Sequence, residues 1–195
     1  MTDTNSSSFW SNQYKLGKTG WDIGYASPPI VKYINQIEDK NLKILIPGAG
    51  KGWEVEYIFK FGFKNVFYLD FSSEGRDEFK IRCPDFPDNQ IITDNFFAHQ
   101  EKYDLIIEQT FFSSLKPSLR HNYVEKVSEL LNPNGKLCGL LFKREFPFEG
   151  PPFGGNKNEY KNLFKNKFKI RYLHTAHNSI KPRKGNELFI LMLKS

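Results

Sequence analysis

The stretch ILIPGAGKGWE, residues 44–54, decides the fold. Three apolar residues and a proline run directly into glycines at positions 48, 50 and 52, and a charged, aromatic stretch follows them. This pattern predicts a buried strand, a tight turn and the start of a helix. Such a turn exposes bare backbone, so it is predicted to hold a phosphate, a dinucleotide or another small cofactor.

Outward from this turn, apolar strands alternate with amphipathic helices between residues 42 and 142. The predicted strands are LKILIP, NVFYLD, QIITD, YDLIIEQ and KLCGLLF. This order predicts a parallel sheet with helices on both faces. After a predicted helix, NEYKNLFKNKF, the stretches KIRYLHTA and ELFILMLK flank a KPRKGN turn, which predicts a final antiparallel hairpin.

The composition is that of a globular chain, with 39% hydrophobic and 26% charged residues. We predict a single domain over residues 1–195, with an N-terminal helical lid (1–40) and a catalytic core (41–195). No apolar run approaches the about 20 residues that span a membrane, and residues 1–10 do not resemble a signal peptide. Cys83 and Cys138 are isolated, so we predict a reduced, cytoplasmic protein. We also predict a monomer.

The net charge of +6 comes largely from late basic residues, including Lys157, Lys161 and Lys165. Such residues can bind nucleic acid. Their four-residue spacing also fits the solvated face of a helix, which is the interpretation we favour. His174 and His177 have no neighbouring cysteine or acid pair, so no metal site is predicted.

Three cofactors compete for the glycine turn. A phosphate-binding P-loop needs GxxxxGK followed by Ser or Thr, but position 45 is Leu and position 52 is Gly. A dinucleotide fingerprint, GxGxxG, would place its third glycine at position 53, which is Trp. The observed GxGxG suits S-adenosylmethionine, whose methionine part passes close over bare backbone.

The ends of the next two strands support that choice. Asp70 ends the second strand, where a carboxylate can accept hydrogen bonds from both ribose hydroxyls. The third strand ends in TDNFF, residues 93–97, where Asp94 or Asn95 can accept from an adenine amino group and Phe96 can pack on the base. The simpler interpretation is that Asp70 caps a helix, and that TDNFF is an Asx turn with two core phenylalanines.

Longer motifs resemble a known family. YDLIIEQTFFSSLKPSLR (103–120) is similar to the hallmark segment of the thiopurine/thiol/halide group of S-adenosylmethionine-dependent methyltransferases, and EGPPFGG resembles its GPPY element. IPGAGKG is similar to the family's VPGCGxG, and Ile46 stands where most other methyltransferases carry an acid. Trp10, Tyr14 and Trp21 have the spacing of the family's three lid aromatics.

The resemblance implies a Rossmann-like class I methyltransferase fold of the α/β class, with a mostly parallel seven-stranded sheet, helices on both faces and a C-terminal antiparallel hairpin. It implies S-adenosyl-L-methionine as cofactor. The implied cofactor-binding residues are Trp10, Tyr14, Trp21, Gly48, Gly50, Asp70, Phe71, Asp94, Asn95, Phe96 and Gln109.

The acceptor pocket is expected at Phe111, Phe112, Arg144 and Phe153, with Tyr14 also near it. Arg144 directly follows the fifth strand and is a candidate to attract an anion. Ser113 and Ser114 replace the Cys-Ala of plant members, and Phe153 replaces the tyrosine of GPPY. These departures leave the identity of the acceptor open.

The resemblance implies in-line methyl transfer to a small soft nucleophile: a thiol, a thiopurine, bisulfide or a halide. This chemistry needs alignment and a dry site more than a catalytic side chain, so no catalytic residue is predicted. One alternative is a nucleic-acid or other macromolecular methyltransferase that uses the basic C-terminal region. GPPF follows strand five and lacks the leading Asp or Asn of amino-methylating enzymes, which argues against it. Another alternative is a non-catalytic S-adenosylmethionine-binding protein.

Overall fold

The computed structural model describes residues 6–195. The first five residues of the predicted lid, 1–5, lie outside the described residues. The strands are β1 (Ile44–Pro47), β2 (Val66–Asp70), β3 (Ile91–Thr93), β4 (Tyr103–Gln109), β5 (Leu131–Phe142), β6 (Phe168–Thr175) and β7 (Glu187–Lys194). The helices are α1 (Ser7–Lys15), α2 (Pro28–Ile34), α3 (Trp53–Lys60), α4 (Ser73–Arg82), α5 (Phe111–Ser114), α6 (Arg120–Leu130) and α7 (Lys157–Phe164).

The seven strands form one sheet in the order β3-β2-β1-β4-β5-β7-β6. Strands β1 to β5 are parallel, and β7 is antiparallel to both β5 and β6. The prediction of a mostly parallel sheet with a C-terminal antiparallel hairpin is confirmed. The strand order reverses between β1 and β4, and in such sheets ligands bind beyond the carboxyl ends of the strands at this point.

Each face of the sheet is covered by its own hydrophobic cluster. Successive residues of a strand point to opposite faces, so Leu45 packs with one cluster while Ile44 and Ile46 pack with the other. Helices α6 and α7 cover the first face, and α2, α3 and α4 cover the second. This packing explains why the strands are almost continuously apolar.

Two predicted boundaries are wrong. The strand KLCGLLF is predicted to begin at Lys136, but β5 begins at Leu131, which already pairs with Tyr103 of β4.

The sequence predicts a helix through Phe168, but α7 ends at Phe164, and Phe168 is the first residue of β6. Phe168 is 2% exposed, lies 5.8 Å from the Phe164 ring and pairs with Lys194 of β7. The ladder with β7 therefore overrides the helical spacing of residues 165–168.

The basic residues of α7 occupy its solvent side. Lys157, Lys161 and Lys165 are exposed, whereas Tyr160 and Phe164 are buried. This arrangement is that of a solvated helix face. Cys83 and Cys138 are both buried and neither forms a disulfide. Within residues 6–195, no helix has the length and apolarity needed to cross a membrane.

Helix α4 packs directly on the glycine turn. A Cβ added to Gly75 would lie 2.5 Å from the carbonyl oxygen of Gly50 and 3.0 Å from the Tyr14 hydroxyl. Because the first contact is with backbone, Gly75→Ala must displace the turn. We expect it to lower the free energy of unfolding by about 1–3 kcal/mol and to weaken cofactor binding.

Chemical denaturation and calorimetric titration with S-adenosylmethionine test this expectation. Ile81→Ala is the matched control, because Ile81 lies on the same helix and is 84% exposed. Equal stability and affinity of the Gly75→Ala and Ile81→Ala variants would contradict the proposed packing.

Candidate functional site

A cavity of about 880 Å³ opens at the carboxyl ends of the parallel strands. It meets the first residues after β1, β3 and β4 and the last residues of β2 and β5. Helix α1 and the segment behind it form the opposite wall. The cavity therefore lies where the sheet topology predicts a ligand site.

Twelve of the fifteen predicted site residues line this cavity. They are Trp10, Tyr14, Trp21, Gly48, Gly50, Asp70, Phe71, Asp94, Asn95, Phe96, Phe111 and Arg144. Gln109, Phe112 and Phe153 do not line it.

The glycine turn has left-handed backbone at Gly48 (φ 60°) and Gly50 (φ 54°). Residues with a side chain rarely adopt this conformation. A Cβ on Gly48 would also lie 2.4 Å from the Phe111 ring, and one on Gly50 would lie 3.0 Å from the Tyr14 hydroxyl. Glycine is therefore required here both for the turn and for the close approach of the cavity walls.

Asp70 links the turn to the cavity. Its Oδ2 accepts a hydrogen bond from the Gly50 N–H (2.9 Å), and its Oδ1 accepts one from the Ser72 N–H (2.8 Å). Burial raises the pKa of the Asp70 carboxyl, and the backbone N–H groups oppose that rise. The Ser72 bond, two residues along the chain, is that of an Asx turn just before α4, so Asp70 does not cap the helix. Asp70 also lines the cavity, and each carboxylate oxygen has a further lone pair that can accept a hydrogen bond from a ligand.

The TDNFF segment forms the Asx turn of the simpler interpretation, because Asn95 Oδ1 accepts from the Phe97 N–H (2.9 Å). Phe96 is 3% exposed, and its ring stacks on Tyr123 at 5.6 Å. Phe96 therefore belongs to the core as well as to the cavity wall. Phe97 and Phe71, both half-buried, also line the cavity.

The lid aromatics form a cluster centred on Trp21. The rings of Trp10 and Tyr14 meet Trp21 edge-on, at 5.2 Å and 5.7 Å. Arg183 donates a hydrogen bond to the Trp21 carbonyl (2.7 Å) from the turn before β7. Sequence reasoning missed Arg183, because KPRKGN gave only a turn signal.

Asp22 fastens the lid to the glycine turn. Its Oδ1 accepts from the Trp53 indole N–H and the Gly24 N–H, both at 2.8 Å, and its Oδ2 lies 3.2 Å from Lys51 Nζ. These contacts join the segment after α1 to the first residue of α3. The predicted lid is thus held by polar contacts as well as by aromatic packing.

The half of the cavity that faces α5 is mostly apolar. Leu115, Phe142, Phe146 and Pro151 contribute to its wall. The hydroxyl of Ser113, which also lines it, donates to the Thr110 carbonyl at 2.8 Å. Ser114 likewise donates to the Phe111 carbonyl at 2.6 Å. Both hydroxyls are therefore already used within α5.

Arg144 is the exposed cation of this half. Its guanidinium lies 5.0 Å from the centre of the Phe146 ring, a cation–π contact. Arg183 lines the same half from the other side and lies 3.6 Å from the Glu187 carboxylate. Burial raises the pKa of Glu187, which the Arg183 guanidinium opposes.

Phe112 was predicted to line the acceptor pocket, but the structure places it in the core. It is 1% exposed and its ring lies 5.1 Å from Tyr123 and 5.6 Å from Tyr160. Successive residues of a helical turn point about 100° apart. Because Phe111 faces the cavity, Phe112 must face α6 and α7.

Phe153 and Gln109 also lie off the cavity wall. The Phe153 N–H donates to the Ser113 carbonyl (2.7 Å), so this residue ties the GPPF segment to α5. Among the described residues, Gln109 Oε1 is buried without a hydrogen-bond partner. The chain reverses sharply at Thr110 (φ 63°), so Thr110 rather than Gln109 reaches the cavity.

A family model described as "Thiopurine S-methyltransferase (TPMT)" matches residues 5–191. The chain belongs to this family. It is 29% identical over 193 residues to "Probable thiol methyltransferase 2" of Arabidopsis thaliana, covering 96% of this chain and 85% of that protein. It is 23% identical to "Thiopurine S-methyltransferase" of Acinetobacter baylyi, covering 95% and 98%. "Thiocyanate methyltransferase 1" of Brassica oleracea is 26% identical, covering 96% and 85%.

Solved structures agree on the fold. The 1,6-didemethyltoxoflavin-N1-methyltransferase of Burkholderia thailandensis, solved with bound S-adenosylhomocysteine, superposes with a TM-score of 0.79 at 16% identity. The match covers 97% of this chain and 87% of that one. Together with the family, this likeness makes the protein an S-adenosylmethionine-dependent methyltransferase.

The residues of the cavity fit this cofactor. A left-handed turn that an added Cβ would fill suits the close passage of the methionine part, and Asp70 supplies the carboxylate for hydroxyl groups. The aromatic lid can cover a sulfonium, because ring faces attract cations. Within the described part of the chain, no cluster of three or more His, Cys, Asp or Glu is arranged to hold a metal ion.

Asp70→Ala removes the acceptor of the Gly50 and Ser72 N–H groups and of any ribose hydroxyls. Hydrogen bonds to a charged group contribute about 1.5–3 kcal/mol each, so we expect affinity for S-adenosylmethionine to fall at least about 100-fold. Calorimetric titration measures this loss, and circular dichroism checks the fold. Asp77→Ala, on exposed helix surface, should bind normally. Unchanged affinity of Asp70→Ala would refute the ribose assignment.

Asp22→Ala should loosen the lid, because it removes the acceptor of the Trp53 indole and the partner of Lys51. We expect trypsin to cleave after Lys18 at least about tenfold faster, since cleavage follows local opening. Trp21→Ala should open the same segment and raise the cofactor dissociation constant. Bound S-adenosylmethionine should slow cleavage of the unmodified protein.

The control for the lid is Asp85→Ala, because Asp85 is exposed and lies after α4, outside residues 1–40. Cleavage after Lys18 that is equal in all variants, with and without cofactor, would show that residues 6–25 do not act as a lid.

Glu108 is a buried acid beneath the site, and burial raises its pKa to about 7 from an ordinary 4.5. Hydrogen bonds from Tyr123 and from the Phe112 and Phe111 N–H groups oppose this rise. Between these two pKa values the folded chain keeps a proton that the unfolded chain has released. The stabilising effect of the protonated group is therefore complete below pH 4.5 and is lost as the pH rises through 7.

We expect the free energy of unfolding to fall by about 3 kcal/mol between pH 4.5 and 7 from this group alone, at about 1.4 kcal/mol per pKa unit. Glu108→Gln cannot titrate and should lose this component. Urea unfolding of both proteins across that range measures the difference, in which the contributions of other buried carboxyls cancel. Parallel stability profiles would contradict the raised pKa.

Proposed function

We propose that this enzyme transfers the methyl group of S-adenosylmethionine to a small soft nucleophile: a thiol, a thiopurine, bisulfide or a halide. The observation that carries the proposal is the composition of the α5 half of the cavity. Among the described residues that line this half, aromatic and prolyl side chains predominate, two arginines supply the charge, and no carboxylate or imidazole stands ready as a general base.

A soft nucleophile needs no such base. Thiols titrate near pH ~8.5, so part of the acceptor is already ionised in neutral solution. When bound, the cofactor supplies a methyl group on a sulfonium whose displacement leaves a neutral thioether, so no oxyanion needs stabilisation.

The chain's own residues then do three things. Asp70 and the glycine turn orient the methyl donor, and the rings of Phe111, Phe142 and Phe146 keep water from the nucleophile. Alignment of this kind can be worth about 7–11 kcal/mol of the barrier. Arg144 and Arg183 favour an anionic acceptor on this side, and for an exposed cation such as Arg144 the gain is about 1 kcal/mol or less. The relatives are named as thiol, thiocyanate and thiopurine methyltransferases, which agrees with this chemistry.

We infer that the roles of the twelve predicted site residues that line the cavity follow their positions, with the cofactor on the lid and glycine-turn side and the acceptor on the α5 side. We also infer one domain with a lid (1–40) and a core (41–195), acting as a monomer in the cytoplasm. The buried, unpaired Cys83 and Cys138 support a reducing compartment.

Formation of S-adenosylhomocysteine by the purified protein tests the proposal. The acceptors are bisulfide, an aromatic thiol, 6-mercaptopurine, thiocyanate, iodide and selenite, with bulk RNA as the macromolecular comparison. Turnover on thiols or halides that is absent in Asp70→Ala would support the proposal. Turnover on RNA alone, with binding that weakens steeply as salt rises, would favour the macromolecular alternative. Tight cofactor binding with no turnover on any acceptor would overturn the proposal.

A further inference from the structure

Glu108 is a fully buried carboxyl group one residue before the end of β4. It does not line the cavity, and the proposed chemistry gives it no part. A buried acid is costly unless its oxygens are hydrogen-bonded, so its partners indicate what it does.

All of its partners are at the α5 side of the site. Oε1 accepts a hydrogen bond from the Phe112 N–H at 2.9 Å, and the Phe111 N–H also bonds to the carboxylate. Oε2 accepts from the Tyr123 hydroxyl at 2.6 Å. The side chain thus joins the start of α5 to the middle of α6. Tyr123 is the titratable group that faces Glu108 from α6.

Helix α5 needs such a support. It has only four residues, too few for a helix to be stable by itself. It follows Thr110, whose left-handed backbone (φ 63°) is unfavourable for a residue with a side chain. The two N–H groups that bond to Glu108 are those that a first helical turn leaves without partners in its own backbone.

The position of α5 determines the cavity wall. Phe111 packs so tightly on Gly48 that a Cβ there would lie 2.4 Å from the ring. Ser113 and Ser114 of the same turn also line the cavity. A tilt of α5 would therefore move the ring that touches the glycine turn together with the wall of the acceptor half.

We propose that Glu108 is a positioning residue for methyl transfer: it holds α5, and through α5 the Phe111 ring, in the orientation that aligns acceptor and methyl donor. This inference rests on the proposed function of the site. It assigns Glu108 no contact with substrate or cofactor and no proton transfer.

Two substitutions distinguish the hydrogen bonds of Glu108 from the space that its side chain fills. Glu108→Gln keeps an oxygen that can accept from the Phe112 N–H and an amide that can donate to Tyr123, so its kcat should stay within about threefold of the unmodified enzyme. Glu108→Leu fills a similar space but accepts nothing. Its kcat should fall about 10- to 100-fold, the size expected when a reacting pair is misplaced. Its dissociation constant for S-adenosylmethionine should change by less than about fivefold.

Tyr103→Phe is the matched control for lost stability. Tyr103 lies at the opposite end of β4, is buried and shares a 2.7 Å hydrogen bond with His99. Neither residue lines the cavity. Tyr103→Phe should therefore lower the unfolding temperature while kcat, measured well below that temperature, stays unchanged.

Tyr123→Phe is the second test if Glu108→Leu does not fold. It keeps the ring packed against Phe96 and removes only the hydroxyl bonded to Glu108. We expect kcat to fall about two- to tenfold.

Three results would overturn the inference. They are a Glu108→Leu or Tyr123→Phe variant with unaltered kcat, a Glu108→Gln variant as impaired as Glu108→Leu, and a Tyr103→Phe control that loses kcat to the same extent. All variants are assayed with the best acceptor of the unmodified enzyme. Failure of the proposed function would appear earlier and differently, as absence of turnover by the unmodified protein on every soft acceptor.

Discussion

The peptide groups of Gly50 are held from both sides by β2, and the rest of the site depends on this arrangement. Asp70 accepts the Gly50 N–H at 2.9 Å, and the Tyr68 hydroxyl donates to the Gly50 carbonyl at 2.7 Å. These two hydrogen bonds therefore hold the turn in its left-handed conformation. They offset the conformational entropy that a glycine loop loses when it is ordered. One strand of the sheet thus determines where this wall of the cavity lies.

Three further elements are built against that turn. Helix α4 meets it at Gly75, α5 meets it through the Phe111 ring, and the lid meets it through Tyr14 and Asp22. The contacts at Gly75 and Gly48 leave no space for an added side chain, and the contacts of Asp22 are hydrogen bonds and an ion pair. The walls of the cavity are consequently set by short-range packing and hydrogen bonding, as a preorganised site for alignment requires.

The fold, and most of the residues that line the cavity, were predictable from the sequence. Strand and helix periodicity indicated the parallel sheet, GxGxG and Asp70 indicated the cofactor edge, and the spacing of Trp10, Tyr14 and Trp21 indicated the lid. These signals are local, because each depends on residues close together in the chain. The errors lie where the side chains of adjacent residues point in different directions. Phe111 faces the cavity, whereas Phe112 faces the core. Thr110 lines the cavity wall, whereas Gln109 does not.

The sequence by itself determined the class of fold, the glycine turn and the family to which the motifs point, because backbone conformation and hydrophobic periodicity are encoded residue by residue. Only the tertiary structure decided which side chains face the cavity. Arg183, from the turn before β7, joins Trp21 across 162 residues of sequence. Glu108 of β4 accepts a hydrogen bond from Tyr123 of α6. Such contacts depend on how strands and helices are placed in space, and no local pattern records that placement.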